Sequence, residues 1–189
     1  PGDFLTSSAT KYATQFNALK KIKQPIYFVT GNHDYRINGK NDLSRVEFLR
    51  KNLAENNLIE LKNSALKIKK NVYLLGVSDN YLGFDEISEA YKGVPKNAGK
   101  ILLAHSPDII DEFNSKNKPD LIIAGHTHCG QIRLPFFGAL PGVIPTDHGK
   151  EFDKHFYADK NLFVSCGVGE SGPPFRFWNP PEINILEIN

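Results

Sequence analysis

The chain has 189 residues, 40% of them hydrophobic and 23% charged, with a formal net charge of +2. A chain of this length hides roughly 70% of its unfolded surface, and its composition excludes a disordered tail or a fibre. No apolar stretch reaches the roughly 18 residues of a spanning helix, and two cysteines are too few for a disulfide scaffold or a Cys-rich zinc module.

Ser7 or Ser8 caps a predicted helix over 7–23, with Tyr12, Phe16, Leu19 and Ile22 on one face and Pro25 as its stop. Ile26 to Val29 reads as a short buried strand. Asp42 caps a second helix to about Asn52, with Val46, Leu49 and Leu53 as its apolar stripe. Strands follow at Ile59 to Leu61, Ala65 to Ile68 and Val72 to Val77, the last closed by a turn at Ser78-Asp79-Asn80. Asp85 to Tyr91 and Asp108 to Asn114 read as short helices. Ile101 to Ala104, Leu121 to Ala124, Leu162 to Ser165 and Ile183 to Ile188 complete the strands. Strands alternate with helices early and dominate late, without repeats or linkers, which predicts one layered α/β domain over 1–189 with two sheets and helices outside. Pro1 is not Met, and Gly2-Asp3-Phe4 read as the interior of a longer sequence, leaving any upstream signal or anchor open.

Residues 1–100 hold 16 Lys/Arg against 10 Asp/Glu, and residues 101–189 hold 7 against 11. Lys62, Lys67, Lys69 and Lys70 have no aromatic residues between them and read as a solvated face, so no nucleic-acid partner is expected.

Three strands run into chemistry-bearing residues. Ile26 to Val29 leads to Gly31-Asn32-His33-Asp34, Ile101 to Ala104 leads to His105, and Leu121 to Ala124 leads to Gly125-His126-Thr127-His128. Ligands of open α/β sheets bind beyond the carboxyl ends of strands, and four of the six histidines fall there. Imidazoles with carboxylate and amide oxygens suit zinc, manganese or iron. A turn after Gly125 would aim His126 and His128 at two adjacent ions, and Asp3 offers a carboxylate able to bridge them. Two ions roughly 3.5–4 Å apart clamp both oxygens of an in-line phosphoryl displacement.

Gly2-Asp3, Gly31-Asn32-His33-Asp34, His105 and Gly125-His126-Thr127-His128 resemble successive motifs of the calcineurin-like metallophosphoesterases. The runs GHTHCGQIRLP (125–135) and GESGPPFRFWNPPEI (169–183) resemble the bacterial branch of small phosphodiesterases that includes some UDP-2,3-diacylglucosamine pyrophosphatases. The resemblance implies an α/β fold with an α-β-β-α sandwich of two mixed sheets, truncated at its N-terminus. It implies that Asp3 bridges two divalent ions (Mn, Zn or Fe), that Asn32, His105 and His126 hold one, and that His128 holds the other. His33 would protonate the leaving oxygen, and Asp34 would hydrogen-bond His33 and orient it. The implied activity is hydrolysis of a phosphodiester or pyrophosphate by metal-bound hydroxide, on a small-molecule and lipid-linked substrate such as a nucleotide-linked lipid A precursor. A nuclease, a cyclic-nucleotide phosphodiesterase and a non-catalytic metal-dependent scaffold are the alternatives. The family's first Asp-x-His motif has no counterpart ahead of Gly2-Asp3, and Asp153-Lys154-His155 follows no strand. The expectation is therefore one well-made ion site and one incomplete one, with weak or no activity in this chain.

Cys129 reads as a small residue behind the site and Cys166 as a buried core thiol, with nothing to support a bond between them. His148 and His155 read as surface residues. Leu134 to Ile144 has no charge in eleven residues. It is expected to pack on the core. The sharper alternative is an apolar lip, anchored by Phe136 and Phe137, that makes peripheral membrane contact over 134–144. Arg133 and Arg176 are candidates for pairing with a substrate phosphate, with packing an equal role for Arg176. The compartment expected is cytoplasmic or peripheral at a membrane.

Overall fold

The computed structural model describes residues 1–5, 13–140, 144–153 and 155–188. Strand β1 (Ile26–Phe28) runs into a single helical turn, α1 (Asn32–Tyr35), then a hairpin of β2 (Arg36–Ile37) and β3 (Lys40–Asn41). Helix α2 (Leu43–Glu55) leads to β4 (Leu58–Glu60), which pairs with β1 in parallel. The chain then forms β5 (Ser64–Lys69), β6 (Val72–Gly76), the turn-length helix α3 (Ile87–Ala90), β7 (Gly99–Leu103) and β8 (Leu121–Ala124). A second hairpin joins β9 (Arg133–Leu134) to β10 (Gly138–Ala139), and β11 (Phe156–Tyr157) and β12 (Leu162–Val164) follow. The main sheet has the order β11-β12-β8-β7-β6-β5. Its four inner strands are parallel and its two edge strands antiparallel, so the chain is mixed α/β with a central mixed sheet.

Parallel strands covered on both faces read as near-continuous apolar runs. Leu121-Ile122-Ile123-Ala124 is such a run, with Ile122 and Ala124 fully buried among Leu75, Leu102, Ile109 and Leu162. A second core, of Leu5, Phe16, Phe28, Leu49, Leu53 and Leu58, joins α2 to the β1–β4 pair. Helix α2 begins where the Asp42 side chain accepts the Ser44 amide at 3.0 Å, which satisfies one orphan donor of its first turn. Its stripe of Val46, Leu49 and Leu53 is buried as the spacing predicts. Arg50 ties the helix to β4 through a forked pair with Glu60 at 2.8 and 2.9 Å.

Several elements differ from the sequence expectations. Ser7, Ser8 and Tyr12 lie outside the described residues, and the part of the first helix that is described is a 3-10 helix, Ala13–Lys21. Phe16 is buried there, but Ile22, expected on the same apolar face, lies beyond the helix end and is half exposed. The helix expected over 85–91 shortens to α3, and that over 108–114 becomes a 3-10 turn, Pro107–Glu112, capped by Ser106. Ile183 to Ile188 alternates like a strand yet forms none. A strand is held by its ladder; no described strand pairs with this segment, and Ile183 and Ile185 stand 87% and 94% exposed.

Cys129 and Cys166 are joined by a disulfide, against the expectation of separate thiols. They meet because β8 and β12 are neighbours and parallel, so residues just past their carboxyl ends arrive together. Their Cα atoms are 4.9 Å apart across a separation of 37 residues, a loop whose closure stabilises a fold by about 3–4 kcal/mol.

Candidate metal centre

The carboxyl ends of β1, β7 and β8 converge, bringing Asn32, His105 and His126 together with Asp3. His105 is the hub. It is buried, and its Nδ1 lies 3.1 Å from the Pro1 carbonyl, an acceptor that favours the proton on that nitrogen. Nε2 is then a lone pair. Facing it are Asn32 Oδ1 at 3.0 Å, Asp3 Oδ2 at 3.3 Å and His126 Nδ1 at 2.8 Å. His126 Nε2 is buried without a hydrogen-bond partner among the described residues. Four ligating atoms therefore converge with fewer protons than acceptors, which is the donor set a divalent cation satisfies.

Burial and neighbouring charges shift all three ionisable groups of the cluster. Burial pushes the Asp3 carboxyl up, but His105, with His33, outweighs it and holds Asp3 at about 2. Burial and then the neighbouring His105 push His126 down to about 3, leaving it a neutral ligand at physiological pH. Burial lowers His105 as well, yet the Asp3 carboxylate more than offsets it and raises the imidazole's pKa.

His128 is not part of this tight cluster. It lines the same cavity, of about 400 Å³, as Asp3, Asn32, His33 and His126. Its Nδ1 lies 3.2 Å from the Gly169 carbonyl. The turn expected after Gly125 forms at a cost: His126, His128 and Cys129 have φ of 65°, 48° and 49°, and Asp3 has 53°. Left-handed backbone is uncommon outside glycine, though His and Asp adopt it more readily than Cys, and it clusters where surrounding structure enforces it. Thr127 supports the turn by accepting the Cys129 amide on its hydroxyl at 3.1 Å.

His33 lies on the cavity wall, its amide donating to Asp3 Oδ1 at 2.8 Å. Asp34 follows His33 in the same helical turn. It is fully buried, and its oxygens accept the amides of Gly31 at 2.9 Å and Leu5 at 3.0 Å. Burial, with Asp3 nearby, pushes its carboxyl up to about 7. Asp34 thus ties the Gly31 turn to the segment carrying Asp3.

The two arginines singled out in the sequence are not among the residues that line the cavity, although Arg176 Nη2 lies 3.4 Å from Nδ1 of the lining residue His128. Arg133 pairs with Asp153 at 3.1 Å and donates to the Cys129 carbonyl at 2.9 Å. Arg176 donates to the carbonyls of Cys166 and Gly169 at 2.7 and 2.6 Å, fixing the loop beside His128. Arg36 lines the cavity instead.

Three further residues at the site escaped the sequence reading. Asp79, taken as an ordinary turn residue, is fully buried, and burial raises its carboxyl to about 6. Its position just past β6 was the available signal. Asn80 clasps Ser106 through its amide and carbonyl at 2.9 and 3.2 Å, holding the residue after His105. Gln131 donates to the carbonyls of Ser171, Pro173 and Phe175 and accepts the Ser171 amide, forming the rim on one side. That hub role has no local pattern in the sequence.

The uncharged run splits rather than packing whole on the core. Ala139 and Ile144 are buried, whereas Phe136 is fully exposed and Phe137 is 79% exposed at the tip of the β9–β10 hairpin. Residues 141–143 lie outside the described residues. Leu134, Phe136, Phe137 and Trp178 border one shallow groove.

Residues 1–130 match the family model of calcineurin-like phosphoesterases. The chain is 30% identical to an uncharacterized metallophosphoesterase, YkoQ, of Bacillus subtilis over 99% of this chain and 70% of that protein. It is 32% identical to an uncharacterized metallophosphoesterase of Aquifex aeolicus over 90% of this chain and 64% of that one. It is also 29% identical to a bovine transmembrane protein with a metallophosphoesterase domain, covering 98% of this chain and 44% of the relative. No solved structure matches.

Proposed function

Because the chain belongs to the calcineurin-like phosphoesterase family, we propose that residues 1–189 act as one metal-dependent hydrolase domain that cleaves a phosphodiester or pyrophosphate. The observation that carries this reading is the convergence of His126 Nδ1, Asn32 Oδ1 and Asp3 Oδ2 on His105 Nε2. Asn32, His105 and His126, with Asp3, would hold one ion, and His128 would help to hold a second. Divalent ions at such a site polarise phosphoryl oxygens and lower the pKa of water.

The chain's own groups do the rest. The His33 ring, on the wall of the same cavity, donates the proton to the leaving oxygen. Asp34 holds the turn that presents it. Arg36 supplies a positive charge to the substrate's phosphate, and Gln131 fixes the 171–175 rim that bounds its leaving group. Manganese is the metal to test first. Dialysed against manganese and then buffer, the chain is expected to retain at least one ion per chain, and whatever weak hydrolysis it shows with one ion site incomplete is expected to be faster on bis(4-nitrophenyl) phosphate than on the 4-nitrophenyl monoester. Retention of no metal overturns the reading.

The exposed aromatics favour a lipid-linked substrate met at a membrane surface. Among the described residues no helix is long and apolar enough to cross a membrane. Phe136 and Phe137 nonetheless project from the hairpin that continues the Gly130–Ile132 wall of the cavity, with exposed Trp178 alongside. Trp rings settle at the headgroup level, and exposed apolar side chains beside them mark membrane-contact surfaces. The Phe136→Ser/Phe137→Ser double variant is expected to lose co-sedimentation with phosphatidylcholine vesicles, at least fivefold, while keeping its metal. Unchanged co-sedimentation overturns the membrane contact.

A further inference from the structure

We propose that reduction of the Cys129–Cys166 disulfide opens a second type of metal site, in which both thiolates and the His155 imidazole bind a zinc-class cation. This proposal stands independently of the phosphoesterase reading, because it shares no ligand with the Asp3, His105 and His126 cluster. One ligand atom from each of Cys129, His155 and Cys166 lies within 4.8 Å of the others. His155 Nε2 is 3.4 Å from Cys166 Sγ. In a tetrahedral zinc site with ordinary Zn–S and Zn–N bonds, that edge measures about 3.5 Å. Glu182 stands beside this set of three, its two carboxylate oxygens each 2.9 Å from His155 Nε2.

The pocket is built independently of the sulfur–sulfur bond. Asn179 and Arg133 donate to the Cys129 carbonyl at 3.4 and 2.9 Å, and Thr127 accepts its amide. Around Cys166, Arg176 donates to the carbonyl at 2.7 Å, and Glu182 Oε1 accepts the amide at 3.0 Å. Those bonds keep the two thiols facing each other once the disulfide opens. His155 is stacked on Phe163, with ring centroids 6.0 Å apart, so its ring is held in place. Both sulfurs are buried while the His155 side chain is 50% exposed, which leaves the ion a way in from one side. A set of two thiolates and one imidazole selects a softer cation than the nitrogen and oxygen ligands around Asp3.

The chemistry balances. A phosphine reductant takes up oxygen from one water as the disulfide gains two electrons and two protons, giving two thiols and the phosphine oxide. The cation then displaces one proton from each thiol, so one divalent ion enters and two protons leave. Cys129 follows His128 directly, so either the disulfide or the ion pins the turn that carries that histidine.

Cobalt(II) is the probe, because only thiolate ligands give the intense near-ultraviolet sulfur-to-cobalt charge-transfer band, and the Asp3 cluster contains no sulfur. Titrated with cobalt, the phosphine-reduced chain is expected to develop that band to saturation at one equivalent, and zinc is expected to bleach it. The unreduced chain and the reduced Cys166→Ser variant are expected to lack the band. His155→Ala, which keeps the disulfide and so folds through it, is expected to bind cobalt at least tenfold more weakly after reduction. No band in a reduced chain with native circular dichroism overturns the proposal. So does an identical titration for His155→Ala, or a reduced chain that unfolds and that zinc does not refold.

Discussion

His105→Ala is expected to weaken manganese binding by 100-fold or more, and to remove whatever metal-dependent phosphodiester hydrolysis the unsubstituted chain shows. A 100-fold loss corresponds to about 2.7 kcal/mol of binding free energy. The size of the effect follows from the hub position of this ring. Its Nε2 is the common neighbour of His126 Nδ1, Asn32 Oδ1 and Asp3 Oδ2, and its Nδ1 is anchored on the Pro1 carbonyl. Removing it takes away one ligand and also the group that orients three others, and outer partners of metal ligands alone cost roughly 10–100-fold when lost. His148→Ala is the matched control: that histidine is half-buried against Phe152 and paired with Asp111 and Glu151, and it does not line the cavity. Metal content by elemental analysis, with circular dichroism to show that both variants fold, makes the comparison. Equal manganese retention by the two variants would show that His105 is a buried structural histidine and no ligand.

Much of this centre was legible before any coordinates, for a physical reason. Parallel strands buried on both faces announce themselves as apolar runs, and whatever follows such a run lies at a sheet edge where ligands bind. Asn32, His105 and His126 were found that way, and the structure brings them to one point with Asp3. What the sequence could not disclose depends on contacts made across the fold. Asp34 sits beside His33 in the chain, but the orphan amides of Gly31 and Leu5 claim its carboxylate. Cys129 and Cys166 become partners only because β12 docks beside β8. Asp79 looks like any strand-ending turn residue until the packing around it closes. Ile183 to Ile188 shows the opposite error, where alternation is present but the partner strand that would make it a strand is not among the described residues.

Gly31→Ala is expected to damage the centre nearly as badly as loss of a ligand, although it adds a single methyl group and removes no functional atom. Gly31 has an ordinary extended backbone, so its role is space. A Cβ built there would lie 2.5 Å from Asp3 Oδ1 and 2.6 Å from both the Asp3 amide nitrogen and His105 Cε1. Rotating the carboxylate away could relieve the first clash, but the second involves backbone and the third a buried ring with its hydrogen bonds already committed. The methyl must therefore push Asp3 and His105 apart. Overpacking of this kind costs about 1–3 kcal/mol, and here the strain falls on the pair whose spacing defines the ligand cage. It also acts on the amide that Asp34 holds, so the turn presenting His33 shifts with it. Manganese affinity is expected to fall at least 30-fold, with a smaller loss of thermal stability. Gly99→Ala, at the start of β7 and far from the cage, supplies the contrast, since the atom nearest its added methyl, on Val72 of β6, would stand 3.6 Å away, and its metal binding is expected to stay unchanged. If Gly31→Ala bound manganese as tightly as Gly99→Ala, the separation of Asp3 and His105 would not set the metal affinity, and the cage described here would lose its main support.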